Sequence, residues 1–396
     1  MNAIKKKKFK QLFFYFLVSE VFLLGSGQDF HVLGGLTLRM LNFLIAIFIT
    51  IITLIKKERI PDNDISLLFL YTLTLILAIC IGLLFEPSSF ERVFLDIKPL
   101  SFFYLLPYFV LSIKSIGEIE TIVNIFKRCM QIMIITYLGY MFAMEILNLV
   151  PFEVVYTLFK ESDSIMMRDQ GYAFFYKGFV FIPVSSILFV RKREWIWFVM
   201  SVMAVYLTYT RGFYVMLIIG FLLNYLFKQN VSFLRIVGLV LLIIIIYQIV
   251  DYFQIFAVNE ARQGGDKDRI LTMQQVVNAI TPFSFIMGHG FGHGVPLKPV
   301  HMEMCYMEIL HKQGLVGLFF WFYLIFKILR FHSLEKLTKQ SKDLIDFFVL
   351  SGVMIYIQSL FNPYLLNPIG MTMVLLSYVS CKLIAKNENT LRNSSL

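Results

Sequence analysis

The sequence is poor in charged residues for its length. Only 16% of its 396 residues are Asp, Glu, Lys or Arg, whereas soluble domains carry about 25%. Hydrophobic residues make up 58% of the chain, and the mean hydropathy is +0.73. Apolar runs of about 20 residues, each long enough to cross a bilayer, recur from one end to the other. This composition excludes an ordinary soluble protein and predicts an all-α polytopic integral membrane protein.

Cysteine is also scarce, with four residues at scattered positions. Cys80, Cys129 and Cys381 fall in apolar runs, so no spacing indicates a disulfide framework or a zinc ribbon. Acidic residues are outnumbered by basic ones, which gives a formal charge of +10. The basic residues lie in short loops between the apolar runs, where they set membrane topology. Nucleic acid is therefore not a predicted partner.

The apolar runs predict about twelve transmembrane helices in a single transmembrane domain, 1–396. They lie near 11–27, 33–55, 65–85, 94–113, 121–149, 172–190, 194–209, 212–227, 232–250, 313–331, 344–362 and 367–384. Lys and Arg are roughly twice as frequent on one side as on the other, so the positive-inside rule predicts that both termini are cytoplasmic. The Lys-rich N-terminus is similar to a secretory signal. Because Glu20 interrupts the apolar run and no small-residue cleavage site follows, we predict an uncleaved first span.

One large external loop, about 251–312, is predicted between spans 9 and 10. It contains four of the six histidines and a cluster of glycines at 288–294. Residues 266–280 within it predict a short helix, because acids stand at its start and an apolar stripe follows, before Thr281-Pro282 ends it. Hydrocarbon offers no hydrogen-bond partner for such a polar, glycine-rich segment. We therefore predict that the active site lies in this loop.

Four arginines are predicted on the same external side: Arg168, Arg211, Arg262 and Arg269. Arginine presents a planar, permanently charged fork that matches pairs of phosphate oxygens. Arg211 begins a span after a very short turn, where its charge is costly unless an anion meets it. Arg269 lies near a predicted helix start, whose backbone N–H groups favour anions. The alternative is that these arginines snorkel or pair with Asp163, Asp169, Asp266 and Asp268.

His301 is the predicted catalytic histidine. It lies between a proline-containing loop and a helical run, and a neutral imidazole near the membrane surface can take a proton from a hydroxyl. The alternative is a histidine that is hydrogen-bonded to loop backbone. The candidate substrate-binding residues are His289, His293, Arg262 and Tyr209, the last because its ring can stack on a sugar.

No metal ligand set is predicted. The spacing of His289 and His293 suits a metal pair only on a helix, and the glycines around them oppose one. His301, Cys305 and Glu308 are the alternative zinc set, because they would share a helical face. Neither set supplies a well-spaced third ligand.

Acids within or beside the apolar runs have two interpretations. Glu20 and Glu145 are candidates for a function because they lie within apolar runs. The other interpretation, that they form interhelical hydrogen bonds, is slightly favoured. Asp96 and Lys98 stand at the outer end of a span and predict a solvated interface pair. The alternative is that Lys98 reaches a phosphate.

Four stretches together resemble the O-antigen ligase and Wzy-type polymerase superfamily of bacterial surface-polysaccharide enzymes. They are RDQGYAFFYKGFVFIP (168–183), YTRGFYVMLIIG (209–220), DRILTMQQVVNAITPFSFIMGHGFG (268–292) and HMEMCYMEILHKQGLVGLFFW (301–321). Each motif is short, and their order, spacing and predicted side of the membrane make the resemblance specific. The sequence departs from the family's pattern at Met302, where Asn is frequent, and at Asp268, where the family often has glycine.

The resemblance implies a glycosyltransferase that handles an undecaprenyl-pyrophosphate-linked oligosaccharide at the outer face of the bacterial cytoplasmic membrane. It implies that Arg168, Arg211 and Arg269 bind the pyrophosphate, that His301 positions or deprotonates the acceptor hydroxyl, and that His301 and Arg211 are the catalytic residues. The anomeric centre would be inverted, with neither metal nor other cofactor. Further predicted partners are membrane lipid and a chain-length regulator and flippase of the same pathway.

Between the two activities of the superfamily, a polymerase is preferred over a ligase that would transfer polymer to a lipid A core. A secondary transporter is the alternative from another class. The sequence shows no matching halves and no paired Gly- or Pro-broken spans, which are frequent in carriers.

Overall fold

The structure, a computed structural model, describes residues 2–25, 27, 31–33, 36–85, 88–145, 147, 149, 157, 165–167, 174–228, 260–334 and 337–394. These residues form a bundle of α-helices with two short antiparallel ribbons. The helices are α1 (Asn2–Leu24), α2 (Leu38–Ile55), α3 (Asp62–Cys80), α4 (Phe90–Leu100), α5 (Leu106–Ser112), α6 (Ile116–Glu145), α7 (Phe181–Arg191), α8 (Trp195–Leu207), α9 (Arg211–Lys228), α10 (Glu260–Ala279), α11 (Pro282–Met287), α12 (Cys305–His332), α13 (Lys339–Gln358) and α14 (Pro368–Ser394). The ribbons pair β1 (His31–Leu33) with β2 (Leu36–Thr37) and β3 (Ile165–Met167) with β4 (Phe174–Tyr176).

Six helical stretches in the described part are long and apolar enough to cross a membrane. They are Leu38–Ile55, Asp62–Leu84, Phe90–Ser112, Ile116–Met144, Cys305–His332 and Pro368–Thr390. Large apolar side chains such as Phe48, Phe69 and Phe319 point away from the bundle and are more than 60% exposed. Aqueous surfaces rarely display so much apolar area, and a lipid environment explains it. The predicted all-α polytopic membrane fold is confirmed.

Eleven of the twelve predicted spans overlap a helix, and the remaining one, 232–250, lies outside the described residues. The span predicted at 94–113 is not one continuous helix. It consists of α4, a 3-10 turn at Ser101–Leu105 and α5, with Pro99 and Pro107 beside the joints. Proline removes a backbone hydrogen bond and crowds the preceding turn, which accounts for the break. The number of spans and the side on which the termini lie stay predictions.

The helix predicted at 266–280 is present as α10, but it begins earlier, at Glu260. It runs through Gly264 and Gly265, so Asp266 and Asp268 do not stand in its first turn as predicted. Glycine costs a helix only about 1 kcal/mol per residue, which is too little to fix where this helix starts. After the C-terminal end of α10, Thr281 caps the N-terminus of α11. The side chains of Thr281 and Ser284 each accept a hydrogen bond from the backbone N–H of the other residue.

Packing at the centre of the bundle is dominated by aromatic rings. Tyr71 of α3 contacts Phe103, Phe320 and Trp321, with ring centroids 4.2, 5.0 and 6.2 Å away. Such tilted and edge-on contacts are favourable arrangements for aromatic pairs. The cluster joins α3, the turn before α5 and α12.

Glu20 makes the interhelical contact that was favoured for it. The Arg39 guanidinium of α2 bonds to its carboxylate at 2.8 Å, and both groups are buried. The side chain of Glu145 lies outside the described residues.

The glycine-rich segment 288–294 inserts between α3 and α12. Gly288, Gly290 and Gly292 all have φ between 81° and 85°, a region that side chains disfavour. A Cβ at Gly290 would collide with the backbone nitrogen of Gly82, so only glycine allows this approach. The segment is therefore fixed against two membrane-spanning helices.

Within α12 the helix is interrupted at Gly314, which has φ 63° and ψ −160°. The carbonyl of His311 accepts from the backbone N–H of His289 at 2.7 Å, and that of Lys312 accepts from Gly290 at 3.0 Å. The glycine-rich segment thus bonds to carbonyls at the interruption, which matters at a depth where water is scarce.

Candidate functional site

Two groups of charged residues lie where the glycine-rich segment and the loop after it meet the ends of α3, α4 and α12. We call Asp96, Glu308 and Lys312 the buried cluster. We call Arg211, Asp266, Arg269, Glu303 and Lys298 the arginine chain, because each of its members contacts the next.

The buried cluster is centred on the ammonium of Lys312. Its Nζ donates to Asp96 Oδ1 at 2.8 Å and to Glu308 Oε1 at 2.6 Å, and it also donates to the carbonyl of Val300. The remaining carboxylate oxygens accept backbone N–H groups, from Gly292 at 2.8 Å and from Met302 at 3.2 Å. Buried charges persist only when they are paired and hydrogen-bonded in this way.

This geometry corrects the prediction for Asp96. It does not form a solvated pair with Lys98 but is buried and bonded to Lys312 of α12. The glycine-rich segment brings this about, since Gly292 packs against Ser88 and Val93 at the start of α4 and donates its N–H to the carboxylate. A residue at the end of an apolar run is thereby covered by the loop.

His301 lies at the edge of the buried cluster. Its Nδ1 is 3.3 Å from Glu308 Oε1 and 3.6 Å from Asp96 Oδ1, and about half of the side chain is exposed. In the described part of the chain, Nε2 of this ring has no hydrogen-bond partner. The imidazole is thus held from one side by carboxylates and open on the other.

Asp96, His301 and Glu308 offer ligand atoms within 4.8 Å of one another, the spacing of a metal site. The Lys312 ammonium already bonds to both carboxylates, so a cation would have to compete with a charge that is covalently held. Cys305, the third member of the predicted alternative set, is fully buried in the core and is not among these three. The donor set therefore fits a metal poorly.

The arginine chain begins at Arg211, the first residue of α9. Its guanidinium bonds to Asp266 of α10, and Arg269 lies 3.7 Å from the other oxygen of the same carboxylate. Arg269 also bonds to Glu303 at 2.8 Å, and Lys298 is 3.5 Å from Glu303. Because Glu303 is two residues from His301, the chain leads from α9 to the loop that carries the histidine.

The structure thus joins Arg211 and Arg269 through Asp266, and it joins Arg269 through Glu303 to the loop that carries His301. The alternative that Arg211 pairs with an acid also holds, since Asp266 is its partner. Arg168 lies outside the described residues, and the same is true of the Arg262 side chain, although its backbone belongs to α10.

The remaining candidates are placed apart from these contacts. The His289 ring faces that of His311, with centroids 4.6 Å apart, and its Nε2 is 3.1 Å from the Ala279 carbonyl. His293 is 3.4 Å from the carbonyl of Gly82. Tyr209 has φ 47° in the turn before Arg211, and its ring lies 5.9 Å from that of Tyr206.

Sequence reasoning missed Asp96 and Lys312 as members of the site, and it assigned Glu308 only to a zinc alternative. One local signal was present, since Glu308 and Lys312 are four residues apart on a helix and so face the same side. Asp96 is 216 residues away from Lys312, and no periodicity reports a contact over that distance.

The fold and this site define a polytopic α-helical membrane protein with a charged site at one end of its helix bundle. Comparison with curated proteins shows what the chain is similar to. The chain is 26% identical over 384 residues to a Shigella flexneri protein named O-antigen polymerase, and the match covers 94% of each chain. The predicted resemblance to the Wzy-type polymerases is thus confirmed, well beyond residues 168–331. No protein-family model matches the sequence, and no solved structure matches it.

Proposed function

We propose that this protein is a polysaccharide polymerase that joins undecaprenyl-pyrophosphate-linked oligosaccharide units at the outer face of the cytoplasmic membrane. The observation that carries the proposal is that Arg211 and Arg269 both contact the carboxylate of Asp266. From Arg269 a further contact, with Glu303, leads to the loop that carries His301. The likeness to the Shigella protein over nearly the whole chain supports the same activity.

The arginine chain supplies what a pyrophosphate leaving group requires. Negative charge grows on this group as its bond to the sugar breaks, and prearranged guanidinium groups stabilise such charge. Arg211 and Arg269 contact the two oxygens of one carboxylate, that of Asp266, so both guanidinium groups lie close enough together to bind neighbouring phosphate oxygens that replace this acid. Two fixed positive charges also supply the neutralisation that a divalent cation provides elsewhere, so we propose a metal-independent reaction.

His301 acts on the acceptor. Its open Nε2 takes the proton from an acceptor hydroxyl as the hydroxyl oxygen attacks the anomeric carbon. The carbon–oxygen bond to pyrophosphate breaks, and its electron pair leaves with undecaprenyl pyrophosphate. Because the acceptor and the leaving group occupy opposite faces of the sugar, the anomeric configuration is inverted.

The other residues singled out in the sequence complete the proposed site. Arg168 is assigned to the pyrophosphate, and His289, His293, Arg262 and Tyr209 are assigned to the oligosaccharide. A chain-length regulator and a flippase are the proposed partners.

The proposal is tested by replacing Arg211 or His301 with alanine in a strain that lacks its own copy of the gene. Each variant should lose at least about a hundredfold in polymerisation, because each removes a group that acts at the reacting atoms. The measurement is the ladder of surface polysaccharide on a gel, normalised to the amount of protein in the membrane.

Lys267→Ala is the matched control, since Lys267 lies on α10 between Asp266 and Asp268 but is exposed and forms none of the ion pairs of the arginine chain. Normal ladders in both the Arg211 and the His301 variants would contradict the proposal. A strain without the gene that keeps single repeat units indicates a polymerase. Accumulated unattached polymer would indicate the ligase, and intact polymer with lost uptake would indicate a transporter.

A further inference from the structure

Among the described residues, Glu308 is the acid in closest contact with the proposed catalytic histidine. Its Oε1 lies 3.3 Å from His301 Nδ1, whereas the Asp96 carboxylate is at 3.6 Å. A carboxylate accepts hydrogen bonds and does not donate them, so this contact places the proton of a neutral imidazole on Nδ1. The lone pair is then on Nε2, the nitrogen that faces the open side.

The position of Glu308 is itself fixed by two hydrogen bonds and by burial. Lys312 Nζ bonds to Oε1 at 2.6 Å from one helical turn further along α12. The backbone N–H of Met302 donates to Oε2 at 3.2 Å, which ties the carboxylate to the residue that follows His301. The side chain of Glu308 is only 6% exposed, so it cannot exchange these partners for water.

Lys312 keeps the negative charge on Glu308 tolerable. A buried carboxylate without a cation would be protonated or would destabilise the fold. Lys312 is a single cation between two carboxylates, and Asp96 is further satisfied by Gly292 N–H. The cluster therefore carries net negative charge on the side where the imidazole stands.

We infer that Glu308 is a positioning residue for the reaction, which orients the His301 ring, fixes the proton on Nδ1 and stabilises the imidazolium formed during transfer. The inference rests on the proposed function, because it assigns a role through His301. Lys312 and Asp96 serve this arrangement by holding Glu308 in place.

A charge effect on His301 must take account of every ionisable group nearby. Among the described residues these are Glu308 and Lys312 from α12, and Asp96 from α4. Lys298 and Glu303 belong to the same loop as the histidine, and they contact each other. Of these groups only Glu308 and Asp96 contact the ring, so their removal has the most direct effect.

The experiment measures polymerisation by purified protein in lipid nanodiscs between about pH 5 and pH 9. The substrate is the lipid-linked repeat unit that accumulates in a strain lacking this gene. Glu308→Gln keeps the shape of the side chain but removes its charge. We expect the plateau rate to fall about tenfold to a hundredfold, because an amide can present its NH2 to Nδ1 and favour the wrong tautomer.

The same variant should move the acidic limb of the pH profile to lower pH by about one unit. The sign follows from charge: the carboxylate stabilises the imidazolium, so without it the base stays neutral in more acidic solution. Glu308→Asp keeps the charge and displaces it, so its rate should fall while its acidic limb stays within about half a unit of the wild type.

Asp64→Asn is the structural control. Asp64 is also a buried acid that bonds to a lysine, Lys382, and to Tyr378 at 2.9 Å, but it has no contact with His301. This variant should lower the yield of folded protein without moving the acidic limb.

Three outcomes separate the proposals. A Glu308→Gln variant with the wild-type rate and limb, beside an inactive His301→Ala, would overturn the role of Glu308 and leave the proposed function standing. An active His301→Ala would overturn the catalytic role of His301 and with it the role of Glu308, and an active Arg211→Ala beside it would overturn the proposed function as well. Loss of wild-type activity on chelation with EDTA, with recovery on adding Mg²⁺ or Mn²⁺, would assign the carboxylates to a metal and contradict the inference.

Discussion

The buried cluster and the arginine chain are both built from alternating acids and bases, yet they have opposite surroundings. Lys312, Asp96 and Glu308 have side chains 2–6% exposed, whereas the side chains of Arg211, Asp266 and Arg269 are 22–41% exposed. Breaking a buried ion pair costs much free energy, because the charge that remains is not solvated. An exposed pair is worth about 1 kcal/mol or less and exchanges partners readily.

The difference assigns different tasks to the two regions. Contacts that cannot exchange are suited to fixing the direction of a side chain, which is the task we assign to the residues behind His301. Contacts that exchange are suited to binding, because Asp266 can release its arginines to a pyrophosphate when substrate arrives. The four predictions below test this division.

The largest effect is expected for Lys312→Met. Removing the cation leaves two buried carboxylates facing each other, which should lower the free energy of unfolding by about 3–5 kcal/mol. The measurement is the midpoint of thermal unfolding in detergent, together with the yield of folded protein. Lys327→Met is the control on the same helix, since Lys327 contacts only the ring of Tyr323 at 4.9 Å among the described residues. A Lys312→Met protein as stable as the control would show that the cluster is not a fixed unit.

Gly290→Ala should be nearly as damaging to stability, by about 2–3 kcal/mol, because its φ of 84° is unfavourable for alanine and its Cβ meets the backbone of Gly82. Gly265→Ala is the control, as nothing lies near a Cβ at that position. Because this segment donates a hydrogen bond to Asp96, its displacement should also inactivate the protein. If the Gly290→Ala protein were as stable as the wild type, the glycine-rich segment would not fix the buried cluster.

Arg269→Ala should separate activity from stability. We expect polymerisation to fall about a hundredfold, since one donor to the leaving group is lost, while the free energy of unfolding changes by no more than about 1 kcal/mol. Gel ladders and thermal unfolding of the same preparation measure the two quantities. A fall in stability as large as that of Lys312→Met would remove the distinction between the regions.

The smallest effect is expected for Asp266→Asn, which removes the shared acid but keeps a side chain of the same shape. Polymerisation should change by no more than about threefold, because the arginines stay and only their exposed resting partner is lost. The salt dependence of the rate should also strengthen, because loss of the acid leaves a more positive site whose attraction for the pyrophosphate is screened by salt. The rate is measured at low and high ionic strength. Complete inactivity would show that Asp266 acts in the reaction itself.

Much of the fold was predictable because apolar length is a local property. A run of about 20 apolar residues has to become a helix in lipid, where every backbone group needs an internal partner. The helix at α10 was predicted for a similar reason, from its apolar stripe. The start of this helix at Glu260 was not predicted, because glycines cost a helix less free energy than tertiary contacts can supply.

The site was predictable only in part. The arginines and His301 were found because their chemistry is unusual next to lipid. Their partners could not be found in the same way, since Arg211 meets an acid 55 residues away and Lys312 meets one 216 residues away. The break at Gly314 was also missed, because glycine inside an apolar run is frequent in spans and does not by itself mark an interruption.

The break at Gly314 divides α12 into two pieces with different attachments. The piece before it is fastened to the glycine-rich segment through the carbonyls of His311 and Lys312, while the piece after it packs among the spans. A bilayer that thickens or thins changes the tilt of its helices. We expect such tilting to be taken up at this joint, so that Glu308 and His301 keep their distance while the lipid around them varies.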